Sequence, residues 1–165
     1  MNVETIVRLL VGVLMGVAGT VTMDVLASVS RKLGLAMGAK GQWVGRWYLG
    51  IAQGRFVHAD ITTVPEQPGE TRVALVGHYI IGITLALFYV FGTAWMGVSP
   101  ASFLVAVGYG LATCVFPWFL VFPALGFGVC GRKGPPELRL FTSSLTNHLF
   151  YGFGLWWTVV LLPLG

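Results

Sequence analysis

Four long apolar runs constrain the fold of this chain more than any other feature. Charged residues make up 10% of the sequence and hydrophobic residues 56%, whereas a soluble domain carries about 25% charged residues. Runs of this length cross a hydrocarbon core of about 30 Å as helices. The sequence therefore predicts an all-α membrane protein, a single polytopic domain over 1–165, with transmembrane helices at about residues 5–29, 73–95, 101–128 and 138–163.

The basic residues predict the orientation of these helices. Nine of the ten Lys and Arg residues lie in 30–72 and 129–139, and cytoplasmic loops are enriched in both residue types. We therefore expect cytoplasmic loops at 30–72 and 129–137, both termini outside, and the bacterial inner membrane as the location. Because these residues flank apolar runs, the expected partner is the lipid bilayer and not a nucleic acid.

The first cytoplasmic loop contains a second kind of helical pattern. At helical spacing, Trp43, Val44, Trp47, Tyr48 and Ile51 share one face. This spacing predicts an amphipathic helix that lies on the membrane surface.

The sequence also indicates an internal repeat of two helices. Segments 78–82 and 148–152 each begin with His and end with Gly, and segment 16–20 loosely resembles 110–113. The pattern predicts two helix pairs of the same topology. In some transporters such repeats place the binding site at their interface.

Asp24 lies inside the first apolar run, where an ionisable group costs roughly 2.5–3.5 kcal/mol at the centre of a bilayer. It belongs to a stripe of small and polar residues at four-residue spacing, with Gly12, Gly16, Thr20 and Ser28. Small residues at this spacing allow a second helix to approach closely, so the stripe is expected to face protein. An acid in so long a run also argues against a cleaved signal peptide, and the run is kept as a membrane helix.

The other ionisable residues of the apolar runs fall at a similar depth. At about 1.5 Å per residue, Asp24, His78 and His148 lie ~9–15 Å from the cytoplasmic surface. A carboxylate beside imidazoles takes up and releases protons near neutral pH. The sequence therefore predicts a proton, ion or substrate site formed by Asp24, His78, His148 and the neighbouring Asn147.

The same residue types also suit a transition metal. Two imidazoles and one carboxylate leave coordination positions open on zinc or iron. With His58 from the first cytoplasmic loop, the alternative ligand set is Asp24, His58, His78 and His148. In a third interpretation these side chains only join helices by hydrogen bonds. The cofactor and any enzymatic activity stay open at this point.

Two prolines interrupt the third apolar run. Pro117 and Pro123 each remove a backbone donor, which predicts a kink or a locally unwound segment. Irregular backbone at membrane depth is tolerated only against protein or a wet cavity. Together with Thr20, the two prolines are expected to shape the site.

Three functions agree with these features. The leading hypothesis is a small proton- or ion-coupled carrier whose Asp/His site faces the cytoplasm. The alternatives are a membrane metalloenzyme or metal- or haem-binding protein, and an accessory subunit with no chemistry of its own. Four helices leave little room for a gated pathway, so we expect a homo-oligomer or a partner membrane protein.

Several short motifs spread along nearly the whole chain complete the pattern. They are Gly19-Thr20 with Met23-Asp24, Gly45-Arg46-Trp47, Phe56 with His58, Gly77-His78-Tyr79 with Gly82, Phe116-Pro117, residues 123–128, and His148 with Gly152. In combination they resemble a bacterial four-helix inner-membrane family that is catalogued as a domain of unknown function. The resemblance implies the four-helix architecture and supports the choice of Asp24, His58, His78 and His148. It implies no activity.

Overall fold

A computed structural model describes residues 2–35 and 38–162. These residues form helices and turns, and no strand occurs among them, which confirms the all-α prediction. The expected end of the last span at 163 and residues 36–37 of the first loop lie outside the described residues. The α-helices are α1 (Val3–Lys32), α2 (Gly41–Ile51), α3 (Glu70–Met96), α4 (Phe103–Ala112), α5 (Phe122–Ala124) and α6 (Leu140–Leu161).

Three helical stretches of the described chain are long and apolar enough to cross a membrane. They are Val3–Lys32, Glu70–Met96 and Phe103–Ala124, with 30, 27 and 22 residues. Large apolar side chains on them are exposed, as at Leu104, which is 79% exposed. The polar residues in the first half of α6 lower its hydropathy, and its role as a fourth span stays a prediction.

The third of these stretches departs from α-helical geometry between its two prolines. Helix α4 ends at Ala112, and a π-helical segment follows at Pro117–Val121. At the end of this segment the amide of Phe122 donates to the carbonyl of Pro117, five residues earlier. Neither Pro117 nor Pro123 has an amide hydrogen to complete a regular α-helical ladder. The predicted irregular segment is therefore confirmed.

Contacts divide the chain into two compact units, and α1, α3 and α6 contribute residues to both. The first unit comprises Met1–Val29, Tyr79–Thr113 and Asn147–Gly165. Apolar and aromatic side chains from its helices form one buried cluster, which includes Met15, Ala86, Tyr89, Ala106, Tyr151 and Leu155.

The small-residue stripe of α1 packs against α3 in the first unit. A Cβ added at Gly12 would overlap the side chain of Leu87, and one added at Gly16 would overlap the backbone of Ile83. Because the partner number falls as the α1 number rises, the two helices are antiparallel. The prediction that this stripe faces protein is confirmed at these positions.

Helices α4 and α6 pack through glycine in a comparable way. An added Cβ at Gly110 would lie 2.7 Å from the Cα of Gly152. In the first pair, an added Cβ at Gly16 would lie 3.0 Å from the carbonyl oxygen of Gly82. Positions that correspond in the predicted repeat thus make corresponding contacts.

The second unit comprises Ser30–His78 and Cys114–Thr146. The predicted amphipathic helix is present as α2, and its apolar face packs against a buried cluster of the same unit. That cluster includes Trp47, Ile61, Phe122, Leu125, Phe127 and Leu138, with Trp43, Val44, Tyr48 and Ile51 partly buried against it.

Candidate functional site

Asp24 has a hydroxyl partner within the first unit. The hydroxyl of Tyr79, on α3, donates a hydrogen bond to the Asp24 carboxylate, and both side chains are half-buried. A carboxylate that accepts a hydrogen bond is stabilised in its charged form, which offsets part of the cost of placing an acid in an apolar helix. Asp24 is therefore a paired group in this structure.

His148 has a hydroxyl partner in the same unit. Its Nδ1 lies 2.7 Å from the hydroxyl oxygen of Thr113, which itself lies 2.5 Å from the carbonyl oxygen of Gly110. A carbonyl oxygen only accepts, so the single hydroxyl hydrogen goes to Gly110. The Thr113 oxygen then accepts from Nδ1–H, which assigns the hydrogen of the neutral imidazole to Nδ1.

The remaining predicted residues divide between the two units. Asn147 precedes His148 on α6 and belongs to the first unit, together with Asp24. His58 and His78 belong to the second unit. A common site formed by Asp24, His78, Asn147 and His148 stays a prediction.

Among the residues that the structure describes, no group of three or more His, Cys, Asp or Glu side chains is placed to hold a metal ion. Cys114 is buried and Cys130 is half-exposed, and both are free thiols.

His58 lies in the loop after α2 and is held through its backbone. Its amide donates to the carbonyl of Ala124 over 2.8 Å. Its ring nitrogen Nε2 is buried and has no hydrogen-bond partner among the described residues. Burial, with a smaller effect from the charge of Arg55, lowers the pKa of His58 from its ordinary value. The fold therefore favours the neutral imidazole.

The second unit also contains a buried ion pair that was not among the predicted site residues. Arg46 donates to both carboxylate oxygens of Glu70, over 2.8 and 3.0 Å. It also donates to the carbonyls of Ile61 and Val64. The hydrogen bond to Glu70 raises the pKa of Arg46 further above its ordinary value, so the pair stays ionised. Arg46 therefore holds the first loop against the start of α3.

Two of these partners had a signal in the sequence. Tyr79 lies four residues before Ile83, and Ile83 four before Leu87, so all three share the face of α3 that meets the α1 stripe. Thr113 ends the segment that was matched to 16–20. Nothing in the sequence paired Arg46 with Glu70. An arginine in a loop can mark the cytoplasmic side of a membrane or form a buried ion pair, and the sequence does not distinguish the two roles.

A comparison with known families matches this chain to the family described as "Protein of unknown function (DUF2938)" over residues 13–162. The chain belongs to this family. The resemblance to a family of unknown function, drawn from the short motifs, is thereby confirmed. No curated protein and no solved structure matches this DUF2938 protein. The matched range contains Asp24, Tyr79, Thr113 and His148, and the family supplies no activity for them.

Proposed function

We propose that this DUF2938 protein is a proton- or ion-coupled carrier of the bacterial inner membrane, with Asp24 and His148 as its titratable pair. One observation carries the proposal: both side chains lie within apolar helices of one unit, and each is held by a hydroxyl group. Ionisable residues inside apolar helices are rare and usually mark ion or proton pathways.

The two hydrogen bonds suit proton transfer in different ways. The Tyr79 hydroxyl donates to the carboxyl group of Asp24 and fixes its position within the apolar helix. The bond between Thr113 and Nδ1 of His148 survives protonation, because the second proton adds at Nε2. His148 can thus change charge while its ring keeps its orientation. In this proposal His78 is a second acceptor and Asn147 an orienting donor.

Membrane insertion in this proposal follows from the three candidate spans and their exposed apolar side chains. Helix α6 serves as the fourth span, the basic loops face the cytoplasm, and both termini lie outside. A homo-oligomer or a partner membrane protein completes the pathway, since four helices enclose little space.

Proton flux into proteoliposomes tests the proposal. Purified protein is reconstituted with a pH-sensitive dye inside, and a membrane potential is set with potassium and valinomycin. We expect Asp24→Asn and His148→Gln to reduce the protein-dependent flux at least about tenfold. Glu66→Gln, which removes an exposed loop carboxylate, should leave the flux unchanged. Flux that Asp24→Asn does not alter, or flux no greater than in protein-free vesicles, would overturn the proposal.

A further inference from the structure

The second unit contains an open depression of about 570 Å³ that the proposed function does not use. Seven of the described residues line it, and two of these seven, Arg132 and Lys133, are charged. The other five are Gly, Ala, Pro and Val residues, among them Gly126 and Gly128. The depression therefore combines two cations with uncharged residues that have short side chains or none.

One wall of this depression is built by close backbone contact. Gly126 has a φ of +88°, and an added Cβ there would overlap the carbonyl oxygen of Ala59. Beside it, the amide of Ile61 donates to the carbonyl of Leu125 over 3.0 Å. Only glycine satisfies both the left-handed backbone and the close approach. The loop that carries Ala59 is thus fixed against the turn that precedes Arg132 and Lys133. The residues from Gly128 to Lys133 are called the basic segment.

The basic segment itself is also held in shape. Gly128, Cys130 and Gly131 have φ values of 68°, 57° and 74°, and the amide of Lys133 donates to the carbonyl of Phe127 over 2.7 Å. This backbone folds the segment back on itself, so Lys133 and the neighbouring Arg132 border the depression.

The described residues do not pair the positive charge of the depression with a carboxylate. Within the described part of the chain, neither Arg132 nor Lys133 forms a salt bridge. Asp60 follows Ala59, but its carboxylate accepts hydrogen bonds from the amide and hydroxyl of Thr62, over 2.9 and 2.7 Å. No carboxylate lines the depression.

We propose that this depression binds a phosphate group through Arg132 and Lys133. Arg presents a planar fork that matches phosphate oxygens, and Lys adds a point charge. The volume lies within the range of about 300–1,000 Å³ typical of ligand sites. Two sources offer this chemistry: the headgroup of an anionic phospholipid, and free phosphate. Basic pockets at the cytoplasmic ends of membrane helices bind such headgroups.

The test compares two double variants of equal charge. Arg132→Gln/Lys133→Gln removes the cations of the depression, whereas Arg31→Gln/Lys32→Gln removes two exposed, consecutive cations at the end of α1. The lipid arm measures, by native mass spectrometry, the ratio of bound phosphatidylglycerol to phosphatidylcholine after equimolar addition. The second arm measures binding of radiolabelled inorganic phosphate by equilibrium dialysis in neutral detergent.

We expect Arg132→Gln/Lys133→Gln to lower binding on the order of tenfold in at least one arm, and the control pair to lower it less than about twofold. Loss in the lipid arm alone identifies a headgroup, and loss in the phosphate arm identifies free phosphate. A second variant, Val129→Glu, keeps both cations but adds a carboxylate to the lining, and it should abolish the same binding while Val129→Gln does not. Equal losses in the two double variants, or no binding by the wild type in either arm, would overturn the proposal.

Discussion

The guanidinium of Arg46 and the carboxylate of Glu70 form a doubly hydrogen-bonded salt bridge in which the two side chains are only 4% and 7% exposed. The carboxylate also accepts from the amide of Gln67 over 2.9 Å. All three guanidinium nitrogens of Arg46 donate hydrogen bonds, either to this carboxylate or to a backbone carbonyl. Such a pair is costly to break, because the remaining partner is left charged and buried.

We predict that Arg46→Met lowers the free energy of unfolding by about 3–5 kcal/mol, the usual cost of removing one partner of a buried pair. Arg46→Lys should also destabilise, since an ammonium group cannot reproduce the two-point contact. The measurement is unfolding of purified protein in detergent micelles.

The double variant Arg46→Met/Glu70→Leu shows whether the stability lost in Arg46→Met comes from an uncompensated charge or from lost packing. It should be more stable than Arg46→Met alone, because no unpaired carboxylate remains. Arg72→Met, at an exposed position nearby in the chain, serves as the control and should change stability little. A double variant less stable than the single one would show that the ion pair is not the reason for the effect.

Helix packing in the first unit supplies a second prediction with a matched control. Gly16→Ala places a methyl group against the backbone of Ile83 and should destabilise the protein by about 1–3 kcal/mol through overpacking. Gly92→Ala adds the same group on α3 where no atom of another segment lies within 4 Å, so it should leave stability unchanged or raise it by up to about 1 kcal/mol. Thermal unfolding of both variants in the same detergent checks this, and equal midpoints would contradict the close α1–α3 contact.

These contacts show which parts of the structure the sequence could predict. Periodic features could be predicted. The four-residue spacing of Gly12 and Gly16 places them on one face of α1, and that face meets α3. Pro117 and Pro123 act locally, because each removes a hydrogen-bond donor wherever the chain goes. Helix α2 was likewise predicted from the spacing of its apolar residues.

Pairings between distant segments could not be predicted in the same way. Asp24 requires a polar partner, but its charge does not specify which side chain supplies the hydrogen bond that Tyr79 donates in the structure. Arg46 in a loop looks the same whether it contacts solvent or Glu70, because only the fold decides its burial. Both cases depend on which helices are neighbours, and spacing within one helix does not encode that.

The bond between Thr113 and His148 leads to a third prediction. Thr113→Val keeps the shape of the side chain but removes the acceptor for Nδ1–H, whereas Thr113→Ser retains a hydroxyl. We expect the valine variant to lose about 0.6–1.7 kcal/mol of stability, the range for hydrogen bonds inside membrane helices. Imidazole ¹⁵N chemical shifts should report Nδ1–H in the wild type and the serine variant, and a mixture of tautomers in the valine variant. A wild type protonated at Nε2 would contradict the assignment.

The last prediction concerns the pH dependence of the loop that contains His58. Burial, and to a smaller extent Arg55, lowers the pKa of His58 from its ordinary value of 6.5. Between the folded value and 6.5, the unfolded chain binds a proton at this residue that the folded protein does not. The free energy of unfolding should therefore fall as the pH drops below about 6.5, with a slope of at most about 1.4 kcal/mol per pH unit from this group.

His58→Gln isolates this contribution, because glutamine keeps a polar side chain but does not titrate in this range. All other ionisable groups are the same in the two proteins, so their effects cancel when the midpoints of thermal unfolding are compared at each pH from 8 to 5. We expect the midpoint of the variant to rise relative to that of the wild type as the pH is lowered through 6.5. The reason is that protonating the wild-type imidazole would place a charge on the buried Nε2. A difference between the two midpoints that stays constant over this interval would show that His58 is not the titrating group.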